Sequence, residues 1–254
     1  MSYTTASPNP ETGIPPFHPF IWEKGKMRDL GTLGGSVVNS LNGLNDRGEV
    51  VGSMTLRGEQ QNHAFLWNGE RLIDLGTFGG SGSDAGAIND AGDVVGWGGT
   101  TQFCPIEGSG QRSFLWRNGV KIDLGATPGT DQSDAAAINS RTQIVGDSFS
   151  CDFSVVNAYL WEKGEIMDLN TLFSPASELH LFGASNINDR GEIAGLATMP
   201  NGDFHAFLLT PVNDNAPGIR QVSVTPRRIT AAEVAAIRAY FGHRHFRFGR
   251  WLRH

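Results

Sequence analysis

The chain has 254 residues, 39% of them hydrophobic, with 33 glycines and a formal net charge of −6. That length can bury a substantial core, and all-β domains of this size are often single units. So many glycines imply many short elements, and no run approaches the roughly 18 apolar residues that a membrane span needs.

Residues 1–17 carry neither a basic n-region nor an apolar h-region, so no secretory signal is visible. The segment is expected to be disordered. From residue 18 onward one phrase recurs: HPFIWEKGKMRDLGTLGG (18–35), HAFLWNGERLIDLGTFGG (63–80), RSFLWRNGVKIDLGATPG (112–129) and NAYLWEKGEIMDLNTLFS (157–174), with a partial copy, HAFLLTP, at 205–211. Successive copies begin 45, 49, 45 and 48 residues apart. A period of this size matches one four-stranded propeller blade. Between the copies lies a second phrase, LNDRGEVVG (44–52), INDAGDVVG (88–96), INSRTQIVG (138–146) and INDRGEIAG (187–195).

Each repeat reads as four strands, because the runs are β-type, broken by glycine and without helical period. Strand A ends at the Asn of the second phrase, strand B is its EVVG part, strand C is HAFLW and strand D is ERLIDLG. The expected fold is therefore all-β, a propeller-like array of four repeats over residues 18–211. Since the chain starts on C–D and ends on A–B–C, two arrangements are open: the strand at 26–30 finishes the unit begun at 180–209, or the array stays open. In the first case one C strand, 20–22 or 207–209, is left over.

The second phrase marks a corner. In Asn45–Gly48 the Asn opens a type I turn and the Gly supplies a left-handed residue at its fourth position. Asn89–Gly92 and Asn188–Gly191 repeat this chemistry. The copy at Asn139 has Thr142 in place of the glycine, so its turn is expected to be strained or differently built. Asn68-Gly69 and Asn118-Gly119 are strong tight-turn signals between strands C and D, and Lys24-Gly25 and Lys163-Gly164 are weaker ones.

The combination of HAFLW (63–67), DLGTFGG (74–80) and AIND (87–90), recurring over 18–211, resembles the HAF repeat family of bacterial repeat proteins. The resemblance implies a propeller-like array and an extracellular or cell-surface location. It transfers no catalytic or ligand residue. It leaves residues 230–254 unexplained.

Several recurrent side chains invite chemistry. Trp22, Trp67, Trp116 and Trp161 share one strand C position, which favours packing between units over an aromatic binding surface. His18, His63 and His205 stand on different units, too far apart to share a metal at bond lengths of roughly 2 Å. Asp29, Asp74, Asp123 and Asp168 sit at strand D ends, where Asx turns to their own backbone are expected. Asn45, Asn89, Asn139 and Asn188 are read as turn caps, with a ring around a channel mouth as the alternative. No metal site and no cofactor is expected. No nucleophile elbow and no Walker or dinucleotide glycine motif is present.

The two cysteines, Cys104 and Cys151, follow strand B in successive repeats, so a disulfide on one face is expected. The B–C connections, taken as 54–62, 97–111, 147–156 and 197–204, vary most. Loops on a rigid scaffold are where function usually sits. Trp97, Gln102, Phe103, Glu107, Asp147, Asp152 and Asp203 are the candidate ligand-binding residues. A non-catalytic binding scaffold for a glycan or protein is the expected role. The alternative is a polysaccharide hydrolase or lyase using two of Glu107, Asp147, Asp152 and Asp203, which would need carboxylates roughly 5–10 Å apart.

Residues 212–229 read as a linker or an extra strand (219–224). Thr230 to Glu233 forms a capping box before a helix-compatible run, and a basic aromatic tail follows to residue 254. Residues 219–254 hold eight arginines and one acid, Glu233, a formal +7 that leaves −13 for the rest. Such a tail suits an anionic partner.

Overall fold

The computed structural model describes residues 2–3, 13, 15, 17–58, 60–105, 108–172 and 179–211. Two short strands, β1 (Ser2–Tyr3) and β2 (Phe17–His18), pair with each other and precede a hairpin of β3 (Phe20–Glu23) and β4 (Lys26–Asp29). Three four-stranded units follow. The first is β5 (Gly34–Leu44), β6 (Val50–Leu56), β7 (Asn62–Trp67) and β8 (Leu72–Asp74). The second is β9 (Gly79–Ile88), β10 (Val94–Thr100), β11 (Gln111–Arg117) and β12 (Val120–Asp123). The third is β13 (Gln132–Ile138), β14 (Ile144–Phe149), β15 (Val156–Glu162) and β16 (Glu165–Asp168), ending in a 3-10 turn at Leu169–Leu172. A last unit has β17 (His180–Ile187), β18 (Ile193–Thr198) and β19 (Phe204–Leu209).

Within each unit, strands adjacent in sequence pair antiparallel. One parallel contact, Asn62 with Gly82, fuses the first two units into an eight-stranded sheet; the others form sheets of four and three strands. The fold is all-β, and among the described residues no helix is long and apolar enough to cross a membrane. The expected capping box, C-terminal helix, basic tail and extra strand at 219–224 lie outside the described residues.

The glycine closing each second phrase is not a turn residue. Gly52, Gly96, Gly146 and Gly195 lie in strand B opposite a bulge in strand A. There the carbonyl oxygens of Ser40, Asp84, Asp134 and Gly183 occupy the space a Cβ would take. Only a residue without a side chain lets the bulged strand come so close.

All four asparagines close their own turns, and three of them also reach the next unit. Asn89 Oδ1 accepts from the backbone N–H groups of Ala91 (3.1 Å) and Asp93 (3.0 Å), closing its own turn. Its Nδ2 donates to the carbonyl of Asn139 in the next unit at 3.1 Å. Asn45 reaches the carbonyl of Asn89 (3.0 Å) and Asn139 that of Asn188 (3.0 Å) in the same way. The turn at Asn139 keeps the architecture of its relatives despite the missing glycine. Thr142 adopts a φ of 59°, beside 76°, 84° and 81° at Gly48, Gly92 and Gly191. A β-branched residue is strained there, and its hydroxyl compensates by accepting from Arg117 (2.8 Å) and donating to Asp93 (3.3 Å). Burial alone would raise the Asp93 carboxyl, but the Arg117 guanidinium outweighs it and holds the group below its ordinary value.

Tight C–D turns form at Lys24-Gly25, Asn118-Gly119 and Lys163-Gly164, with positive φ at both residues, as a type I′ turn requires. Asn68 instead caps a longer turn, accepting from Glu70 and Arg71 N–H at 3.1 and 3.0 Å.

Of the two arrangements, the described residues show the open one. Among the described residues β4 pairs with β3 alone, and β19 pairs with β18 alone. The first hairpin is committed to its sequence neighbour: Leu30 and Ile21 pack with Val50, Met54, Phe65 and Trp67, and Arg28 lies over the Trp67 ring at 4.7 Å. Trp67 is buried and Trp116 and Trp161 are half-buried in the junctions, whereas Trp22 is exposed.

Among the described residues no unit follows Asn188, whose amide keeps only the bond to Glu192 in its own turn, as Asn45 and Asn139 bond Glu49 and Gln143. Replacing Asn89 by alanine should therefore cost more than replacing Asn188, by about the 1 kcal/mol of one hydrogen bond, as read by chemical denaturation of both variants.

Candidate functional site

In an up-and-down unit strands B and D run the same way, so B–C and D–A connections emerge on one side of the molecule. On that side the connection after β10 meets its counterpart after β14. Cys104, fully buried, is disulfide-bonded to Cys151 with Cα atoms 5.2 Å apart. Asp131, from the D–A connection between the two units, binds both sides. It accepts from Cys151 N–H at 3.0 Å and from Gln102 Nε2 at 3.0 Å. The neck of the first loop is closed by backbone bonds from Thr100 to Gly110 and from Gly110 to Gln102, each 2.7 Å. Phe103, between the disulfide and Gln102, is 73% exposed. A large aromatic side chain is thus held in solvent on a cross-linked loop.

The second loop is anchored from below. Phe153 is buried and stacks on Phe149 with centroids 5.0 Å apart, beside Val156 and Phe182. Asp152 caps this turn, accepting from Ser154 N–H at 2.9 Å and Ser150 Oγ at 2.7 Å. The Ser154 N–H, followed by the serine hydroxyls, lowers the carboxyl to about 2. A group so occupied stays ionised and is a poor proton donor near neutral pH.

The other candidates separate. Trp97 and Asp147 do not lie in loops: strand B continues past its glycine to Thr100 and Phe149, placing both within β10 and β14. Trp97 is half-buried opposite Asp84, and Asp147 is buried opposite Asp134. Asp203 is exposed in the last B–C turn, where Asn201 Nδ2 donates to it at 2.7 Å. Glu107 lies outside the described residues.

The histidines and strand D aspartates pair within their own units. His18 Nδ1 meets Asp29 at 2.7 Å and His63 Nδ1 meets Asp74 at 2.8 Å; in the next unit Arg112 stands 3.8 Å from Asp123. Each aspartate also accepts the N–H two residues on, from Gly31, Gly76, Gly125 and Asn170, at 2.7–2.8 Å. These are the Asx turns expected of them. Among the described residues no three His, Cys, Asp or Glu side chains gather as a metal site.

One cluster was not read from the sequence. Asp84 in β9 accepts from Ser40 Oγ and Ser53 Oγ of the first unit, each at 3.0 Å, and from Asn42 Nδ2 at 2.7 Å. Burial outweighs these three donors and raises the carboxyl to about 6. The available signal was the SDA triplet at 83–85 and 133–135, but the serines that hold Asp84 come from 31 and 44 residues away.

No family model matches the chain, and no curated protein matches it. Among solved structures it is similar to the β-propeller domain of the Trilobed protease from Pyrococcus furiosus, which has an open velcro topology. The identity is 12% and the TM-score 0.47, over 72% of this chain and 55% of that one. The chain thus spans about half the length of that structure.

Two outcomes follow. A thiol reagent should find no free thiol in the unreduced protein and two after reduction in denaturant. Reduction should destabilise it by up to about 4 kcal/mol, the loop-closure value for a 47-residue separation. Secondly, Asp84 titrates higher folded than unfolded, so its contribution to stability is full below about pH 4 and is lost as pH rises through about 6. In thermal melts the D84N variant should lack this loss, melting higher than the wild type at pH 7.5 but not at pH 4. A difference independent of pH would refute the assignment.

Proposed function

We propose that the chain is a propeller-like array of four repeats of the HAF type that acts as a non-catalytic binding scaffold. Its ligand contacts come from the B–C connections of the second and third units. The observation that carries this reading is Phe103, 73% exposed on a loop cross-linked by Cys104–Cys151. An aromatic ring held in solvent on a braced loop offers apolar area that a ligand can cover. Fixing the loop beforehand lowers the entropy cost of binding.

The side chains around Phe103 suit a glycan. An aromatic ring packs against the C–H face of a sugar, and the Gln102 amide and Asp131 carboxylate on the same cross-linked loops are polar groups that sugar hydroxyls can join. The disulfide is in keeping with an extracellular or cell-surface location. The basic residues of 219–254 are proposed as a separate, salt-sensitive contact for a polyanion.

The test is a glycan array, run in parallel with hydrolase and lyase assays on any polysaccharide that binds. F103A, which removes only exposed surface, should leave the melting temperature unchanged and weaken glycan binding at least tenfold. Unaltered binding by F103A would move the site elsewhere, and turnover of a bound polysaccharide would replace the scaffold with an enzyme.

A further inference from the structure

The internal junctions all use the same two faces. The forward face of each unit presents the strand C leucine, Leu66, Leu115 or Leu160, and the next unit covers it to 2%, 1% and 5% exposure. Leu66 packs in one cluster with Phe114 and Trp116 of the second unit, and Leu115 packs with Ala135, Ile144 and Trp161 of the third. Leu160 packs with Leu181, Ile193, Phe207 and Leu209 of the last. The rear face presents the strand C aromatic, and the preceding element covers it: Trp67 is 5% exposed beneath Ile21, Leu30 and Arg28 of the first hairpin.

At the two ends of the array these faces stand bare. Leu208, at the position of Leu66, Leu115 and Leu160, is 66% exposed, and Ala206 beside it is exposed where Ala64 and Ala158 are buried. Trp22, at the position of Trp67, is 66% exposed, and its cross-strand partner Met27 is 59% exposed. The forward face at one end and the rear face at the other are the two halves of a junction that the chain builds four times internally. They do not cover each other within one molecule, since Trp22 and Leu208 are both left exposed.

We propose that these two faces dock head to tail between copies of this chain, the Leu208 face of one seating against the Trp22 face of the next. The occupant is a second copy because the complement of each bare face is the opposite end of the same molecule. The contact is heterologous, joining unlike surfaces, so it propagates or closes into a ring according to its rotation. Two faces apolar enough to be buried inside the array, left open to water, favour such association. This inference concerns the ends of the array and stands independently of any ligand at the Phe103 loop.

The experiment is light scattering behind size exclusion on the full, unreduced chain over a wide dilution series. The wild type should elute at twice the mass of one chain or more, falling toward one on dilution. W22E and L208E each carry one spoiled end and retain the other. Each alone should be monomeric, with a melting temperature within a few degrees of the wild type's, since both side chains are exposed. Mixed in equal amounts, they keep one intact pair of faces and should form a dimer of one copy of each. A wild type that is monomeric throughout would overturn the proposal. So would a single variant that still associates, as a contact between like ends predicts, or a mixture of two monomeric variants that stays monomeric.

Discussion

Each unit is held to the next by an asparagine that works in two directions. Its side-chain oxygen closes the turn between strands A and B, and its amide reaches the carbonyl of the equivalent asparagine one unit on. The second bond needs the first. Once the carboxamide oxygen is fixed by two backbone donors, the planar group leaves its nitrogen pointing out of the unit. Buried polar groups without partners are costly, so Asn45, Asn89 and Asn139 tie the position of each unit to that of its neighbour.

Around that clamp the junctions carry a mixture of apolar and polar contacts. The strand C leucine and aromatic supply the area, while Asp84 and the Asp93–Arg117–Thr142 group supply direction. The Thr142 turn shows how these layers compensate. A missing glycine leaves backbone strain, and the hydroxyl brought in its place joins the Asp93–Arg117 ion pair of the preceding unit. On the loop side of the molecule the disulfide and Asp131 link the second and third units again. The exposed Phe103 therefore stands on a region braced from several directions.

Much of this was legible in the sequence because repetition converts local chemistry into architecture. The recurrence of the HAFLW and INDRGEIAG phrases placed the strands, the Asn-led turns, the Asx caps at Asp29, Asp74, Asp123 and Asp168, and the two cysteines on neighbouring loops. Alternation and turn residues act over a few positions, so they can be read from the chain. Strand B nevertheless ran farther than its glycine suggested, carrying Trp97 and Asp147 out of the loops and into the sheet. The glycine looked like punctuation, and its real constraint is the carbonyl of a bulge in another strand.

What only the tertiary structure decided depends on groups far apart in sequence. Whether a carboxylate is a ligand, a cap or a buried acid is set by its neighbours. Asp152 is held near 2 by its own turn, while Asp84 is raised to about 6 by burial between units. The ends of the array were equally unreadable. The strand inventory left open whether the first hairpin would complete the last unit, and its apolar side is spent on the first unit beside it. The sequence by itself determined the repeating unit, its turns and its disulfide partners, because those rest on short-range chemistry. The angle between units, the exposure of Trp22 and Leu208 and the acidity of Asp84 rest on how whole sheets pack. No single stretch of chain encodes that packing.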